Sequence, residues 1–198
     1  MGNPLVVKFH RKLTWNERTR QSIEAQFQCG NLLLRDIETV YEGLFLRTVV
    51  AFEDLIECTF FDILEGDSPN PDWWARVVGE KKALRECVLE GKAYLDWLPI
   101  QRTLDRANIY LEDGEPFTLF DDDDKSKLFQ IITIRNAIAH AGDNARGKFR
   151  QKVIGNTNLR RNEKSPAGFL RSIARSNPVT TRFQIYTQSL GNIALKLA

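Results

Sequence analysis

The chain has 198 residues, of which 42% are hydrophobic and 27% charged, with 12 Gly and 7 Pro. At roughly 150 residues per domain this is one domain, 1–198, large enough to bury a core without disulfides or structural metals. The composition excludes collagen-like, low-complexity and wholly disordered chains. No run approaches about 18 uncharged apolar residues, so no membrane span is expected. Leu5-Val6-Val7 is too short an apolar run for a secretory signal. Cys29, Cys58 and Cys87 are odd in number, far apart and without a CxxC pair. They read as reduced thiols, and a cytoplasmic location is expected.

Charge divides the chain. Lys and Arg number 28 and Asp and Glu 26, a net of +2. Residues 145–198 hold eleven of the basic residues and one acid, Glu163. The rest of the chain is therefore acidic overall. A basic segment attracts polyanions and releases their counterions on binding. It can equally form a solvated face, or dock on the acidic part of the same chain.

In chain order, residues 15–39 read as one amphipathic helix or two, with Trp15, Ile23, Phe27, Leu34 and Ile37 on the apolar side and Gly30-Asn31 as the weak point. Residues 40–64 carry a broad apolar face from Tyr41 to Leu64, ended by Gly66-Asp67-Ser68-Pro69. Shorter helices are expected over 72–90 and 100–112, then a turn at Asp113-Gly114-Glu115-Pro116. A helix from about Lys125 to Ala141 follows, closed by Gly142. Three short helical patches, 145–154, 167–174 and 181–197, complete the chain. No segment shows strand alternation, so the fold class is all-α: a core of about 15–142 with a basic helical extension over 143–198.

The run Asp121-Asp122-Asp123-Asp124 reads as a helix N-terminus, where aspartates cap free amides and complement the dipole. Four carboxylates suit a hard cation, but consecutive helical residues point in different directions. No metal site and no cofactor is expected.

The motif that carries chemistry is Arg135-Asn136-Ala137-Ile138-Ala139-His140. Only His10 and His140 are histidines, and His10 has no evident partner. On a helix, Asn136 and His140 are about 40° apart, whereas Arg135 stands about 140° from His140. Ile131, Ile134 and Ile138 fall in a sector of about 60° facing the core. One protomer does not bring Arg135 onto His140; two copies packed about a dyad would place two Arg–His pairs in one cleft. His transfers protons near neutral pH, and Arg holds a phosphate oxygen in a fork. Asn136 can orient His140 or bind phosphate. The competing reading is that these cations simply decorate a helix C-terminus.

This hexapeptide resembles the Arg-x4-6-His signature of the HEPN superfamily, including the polar residue directly after the arginine. The setting is similar: late in a helical chain, after a long helix. Trp97-Leu98-Pro99 through Pro116-Phe117, then Ala145-Arg146-Gly147-Lys148-Phe149, looks like HEPN proteins of toxin and defence type. The resemblance covers about 15–198, with only the hexapeptide specific. It implies a HEPN-like helical bundle with added C-terminal helices and a homodimer with a composite active site. The implied activity is metal-independent endoribonuclease cleavage, as a toxin held by an antitoxin or as an antiviral effector with a defence partner. Arg135 and His140 match the catalytic pair and Asn136 the polar position. The alternative is a non-catalytic HEPN module that binds nucleic acid or nucleotide, or scaffolds a partner complex. Arg146, Lys148, Arg150 and Lys152 follow closely enough to guide RNA, or form a solvated face. Glu53 is compatible with either a place beside the cleft or a core-edge position.

Overall fold

The computed structural model describes residues 3–140 and 142–198, and its first helix begins earlier than the apolar pattern suggests. Helix α1 spans Pro4–Gln28. The Asn3 side chain accepts from the Leu5 N–H, and Pro4 occupies the first helical turn, where a missing N–H costs nothing. Asn3 also donates to the Leu197 carbonyl at 2.7 Å, tying the two ends of the chain together.

The weak point at Gly30-Asn31 is a complete break. Gly30 has φ +76°, and the N–H groups of Gly30 and Asn31 return to the carbonyls of Phe27 and Gln26. This is a Schellman closure, which needs a left-handed residue and therefore favours glycine. Helix α2 then runs from Leu34 to Leu64 and ends the same way at Gly66, φ +76°. At roughly 1.5 Å per residue its 31 residues form a spine of about 46 Å. Ile37, Tyr41, Phe45, Phe52, Ile56 and Phe60 are fully buried along it.

Both halves of the spine are packed by aromatic rings, in different company. Phe45 meets Phe183 and Tyr186 from the C-terminal end of the chain, while Phe60 meets Trp97 and Phe117. The helix expected over 72–90 is confined to α3, Lys81–Leu89. Residues 74–76 are extended instead and pair with the end of α4 (Ile100–Tyr110), through Arg76 N–H to Tyr110 and Glu112 N–H to Trp74.

Helix α5 spans Asp122–Ala139, and the predicted end at Ala141 lies outside the described residues. Its start precedes the expected Lys125 because Asp121 caps it: the Asp121 carboxylate accepts from Asp124 N–H, and Asp124 accepts from Asp121 N–H. Ile131 and Ile134 are fully buried as expected, but Ile138 is only partly so; Ile132 and Ala137 complete the inward face.

Helix α6, Asp143–Phe149, continues through a π-helical turn over Arg150–Ile154, and α7 spans Pro166–Arg171. The helical reading of 167–174 fails at its end. Strands β1 (Ile173–Ser176) and β2 (Val179–Thr181) form an antiparallel hairpin, so the fold is mainly α rather than all-α. Strands this short have no buried face to create alternation, and β1 is exposed throughout. Helix α8, Arg182–Ala194, is capped by Thr181 and Gln184. Its Phe183, Leu190 and Ile193 belong to the same core as α1, α2 and α5. Residues 143–198 are set apart by charge but not by packing. Among the described residues no helix is long and apolar enough to cross a membrane.

Candidate functional site

Helix α5 holds the motif by burying Ile131, Ile132, Ile134 and Ala137, which leaves Arg135 and Asn136 at the edge of the buried face. Arg135 and Asn136 are half-buried and His140 is exposed. Arg135 Nη1 donates to Asn136 Oδ1 at 3.0 Å. His140 is the C-cap of α5; its backbone N–H donates to the Asn136 carbonyl at 2.9 Å.

These contacts bear on the two roles open to Asn136. Among the described residues the Asn136 side chain is hydrogen-bonded to Arg135 and not to His140, because adjacent backbone positions allow the long guanidinium to fold back onto its neighbour. Arg135 and His140 form no hydrogen bond with each other among the described residues. The separation of about 140° on the helix predicts this.

Glu53 on α2 completes the local electrostatics. Burial raises its pKa above the ordinary carboxylate range; the positive charge of Arg135 opposes that rise, and Asp96 and Asp54 reinforce it. A half-buried acid therefore lies within electrostatic reach of Arg135, contributed by a residue 82 positions earlier. No local spacing links the two, and only the packing of α2 against α5 brings them together.

The basic segment is realised in two ways. Arg146, Lys148, Arg150 and Lys152 are exposed and form no ion pair among the described residues. They begin immediately after α5, and Arg146 lies close enough to Glu42 for its charge to act there. Other cations of the segment dock on the acidic part of the chain. Arg171 binds Glu24 through two nitrogens at 2.9 and 3.1 Å. Lys196 binds Asp121 and Asp124 at 2.7 and 2.5 Å, fastening the chain end to the cap of α5. Arg182 instead stays within the segment, stacking on Phe169 and donating to Ser172.

The aspartate run is thus a capping box clamped by a lysine. Among the described residues no group of three or more His, Cys, Asp or Glu side chains is placed to hold a metal ion. His10, on α1, packs against α8, where a Cβ on Gly191 would approach its ring to 3.3 Å, and its Nε2 is buried without a hydrogen bond among the described residues. No family model, no curated protein and no solved structure matches the chain.

Proposed function

We propose that the protein is a HEPN-type, metal-independent endoribonuclease that acts as a toxin or antiviral effector, with its active site shared between two copies. The observation that carries this reading is the state of Arg135. It is half-buried at the outer edge of α5, its hydrogen-bond partner is a neutral amide, and an exposed histidine closes the same helix. A guanidinium not tied up by a carboxylate retains its charge for a ligand.

The reaction assigns each group a role. The ribose 2′-oxygen forms a bond to phosphorus and loses its proton to one His140. The bond from phosphorus to the 5′-oxygen breaks, and that oxygen takes a proton from a protonated histidine. Arg135 stabilises the charge that develops on the non-bridging oxygens. The products are a 2′,3′-cyclic phosphate and a free 5′-hydroxyl. Asn136 holds the Arg135 head in place. Arg135 and His140 point apart within one chain, so a dyad that faces two motifs supplies each arginine with a histidine from the other copy.

The test is RNA cleavage in EDTA by the wild type, Arg135→Ala and His140→Ala, with end-group analysis. Cleavage by the wild type alone, leaving cyclic phosphate ends, is the expected result. Equal cleavage by all three proteins would remove the assignment. The second reading is a non-catalytic HEPN module that binds nucleic acid or scaffolds a partner. It is favoured by the exposed Arg146, Lys148, Arg150 and Lys152 beside a motif whose two ends do not meet in one chain. RNA retention without cleavage, at concentrations where the protein sediments as a dimer, would select it.

A further inference from the structure

Helix α1 carries a face that the nuclease reading does not use. Lys8, Arg11, Lys12 and Trp15 follow a spacing of three and four residues, so they share one side of the helix. Across from them, Arg47 on α2 is also exposed, and Leu46 and Val50 form an apolar floor. The groove so enclosed has a volume of about 670 Å³, within the range of small-ligand and strand-binding clefts. Its base is fixed: Asn16 donates to Thr48 at 2.9 Å, both buried, locking α1 to α2 underneath.

Two features identify the kind of occupant. The first is charge. Four cations surround the groove, and the acid in contact with them is Asp54, at 3.7 Å from Lys12 with both side chains largely exposed. Lys8, Arg11 and Arg47 form no ion pair among the described residues. The second is Trp15, which is 67% exposed and also borders a second groove lined by Val7 and Arg18. An indole this exposed, lining two grooves, has ring surface free to stack on another flat ring. An apolar protein segment would cover Trp15 but would desolvate four cations without neutralising them. A duplex would meet the cations but keep its bases stacked on each other.

We propose that the α1–α2 groove binds single-stranded RNA, with a base stacked on Trp15 and phosphates held by Lys8, Arg11, Lys12 and Arg47. Interleaved cations and aromatic rings are the recurring means of holding a single strand. Val50 of the groove lies three residues, about 4.5 Å, before Glu53 along α2, the acid on which the charge of Arg135 acts. The inference takes from the proposed function only that the ligand is RNA.

The experiment uses the full chain and a fluorescently labelled 2′-O-methyl oligouridine of about ten nucleotides, which cannot be cut by attack of a 2′-hydroxyl. Trp15→Ala should weaken binding by about 5- to 160-fold, the worth of one stacked base. Trp15→Phe, which retains a ring, should restore most of it. Trp15 is mostly exposed, so neither change threatens the fold. Lys12→Gln with Arg47→Gln should reduce the slope of log affinity against log salt by about 1.4, at roughly 0.7 per lost single-strand contact. Binding that behaves in this way supports the groove even if no RNA is ever cut, so its success is separable from that of the nuclease reading. Equal affinities for wild type and Trp15→Ala would overturn the proposal. So would a dimer, seen by sedimentation, that Trp15→Ala dissociates while oligonucleotide affinity stays the same: the groove would then be an interface between copies.

Discussion

Two arginine clusters lie against the same spine, and they are built for opposite purposes. Near the N-terminal half of α2, Arg20 grips Glu17 through two nitrogens at 2.8 and 2.7 Å and donates to the Tyr41 hydroxyl. Tyr41 donates to Glu24 at 2.7 Å, and Glu24 is held in turn by Arg171, whose guanidinium lies 4.4 Å over the Phe27 ring. Each arginine there has a carboxylate. Farther along α2, Arg135 has an amide partner and an acid, Glu53, that burial biases toward its neutral form. A guanidinium neutralised by a carboxylate holds a structure together. One left with a neutral partner keeps its field for something outside the chain.

The sharpest way to break this comparison is to remove one arginine from each cluster. Arg135→Ala should lower RNA cleavage by about 10²–10³-fold, the scale of a lost transition-state donor, while Tm stays within about 2 °C. Arg171→Ala should do the reverse. It leaves a half-buried Glu24 with one partner fewer and exposes the Phe27 ring, costing about 2 kcal/mol and lowering Tm by roughly 4–8 °C. Cleavage per folded molecule should be unchanged. Loss of activity in both variants, or of stability in both, would mean that the two clusters are not functionally distinct.

Much of this contrast was not legible in the chain. The helical placement of Arg135 and Asn136 was, with His140 directly after Ala139 as the C-cap of α5. The long apolar face of α2 and the glycine breaks at Gly30 and Gly66 were also legible, since each is a local pattern with a local cause. The start of α1 was missed: Asn3-Pro4 is a good cap, but the apolar signal weakens before Trp15. That error also hid the basic face of Lys8, Arg11 and Lys12. The hairpin over 173–181 was missed because exposed strands of three and four residues carry no alternation. The fates of Arg171 and Lys196 depend on partners 147 and 72 to 75 positions away. No local spacing distinguishes them from Arg146 and Lys148, which form no ion pair among the described residues.

A second test sharpens the comparison through pH. Burial would raise the Glu24 pKa, but hydrogen bonds from Arg171 and Tyr41 outweigh it and the net shift is downward. A carboxylate whose folded pKa is depressed contributes stability above its unfolded value, about 4.3, and loses it as pH falls through the folded value. Glu24→Gln should therefore lower stability at neutral pH and flatten its decline below about pH 4.5. Chemical denaturation from pH 7 to pH 3 measures both. An unchanged acid limb would mean that Glu24 is not a stabilising partner of Arg171.

The smallest expected effect is the most telling about Arg135. The Glu53 pKa is raised chiefly by burial, against the pull of Arg135. For an acid with a raised folded pKa the linkage runs the other way: at neutral pH ionisation opposes folding, and the penalty is relieved as pH falls through the folded value toward the unfolded one. Glu53→Gln removes that penalty with little change of shape. It should raise stability at pH 7 by about 0.5 kcal/mol, or roughly 1–2 °C in Tm, with the gain vanishing toward pH 4. If Glu53 also keeps the Arg135 head turned toward the exposed edge of α5, cleavage should fall as stability rises. Opposite signs would mark a carboxylate retained for function at a cost in stability. A loss of stability at pH 7 would instead show that Glu53 and Arg135 form a structural pair like Glu24 and Arg171, and the distinction between the two clusters would fail at its second member.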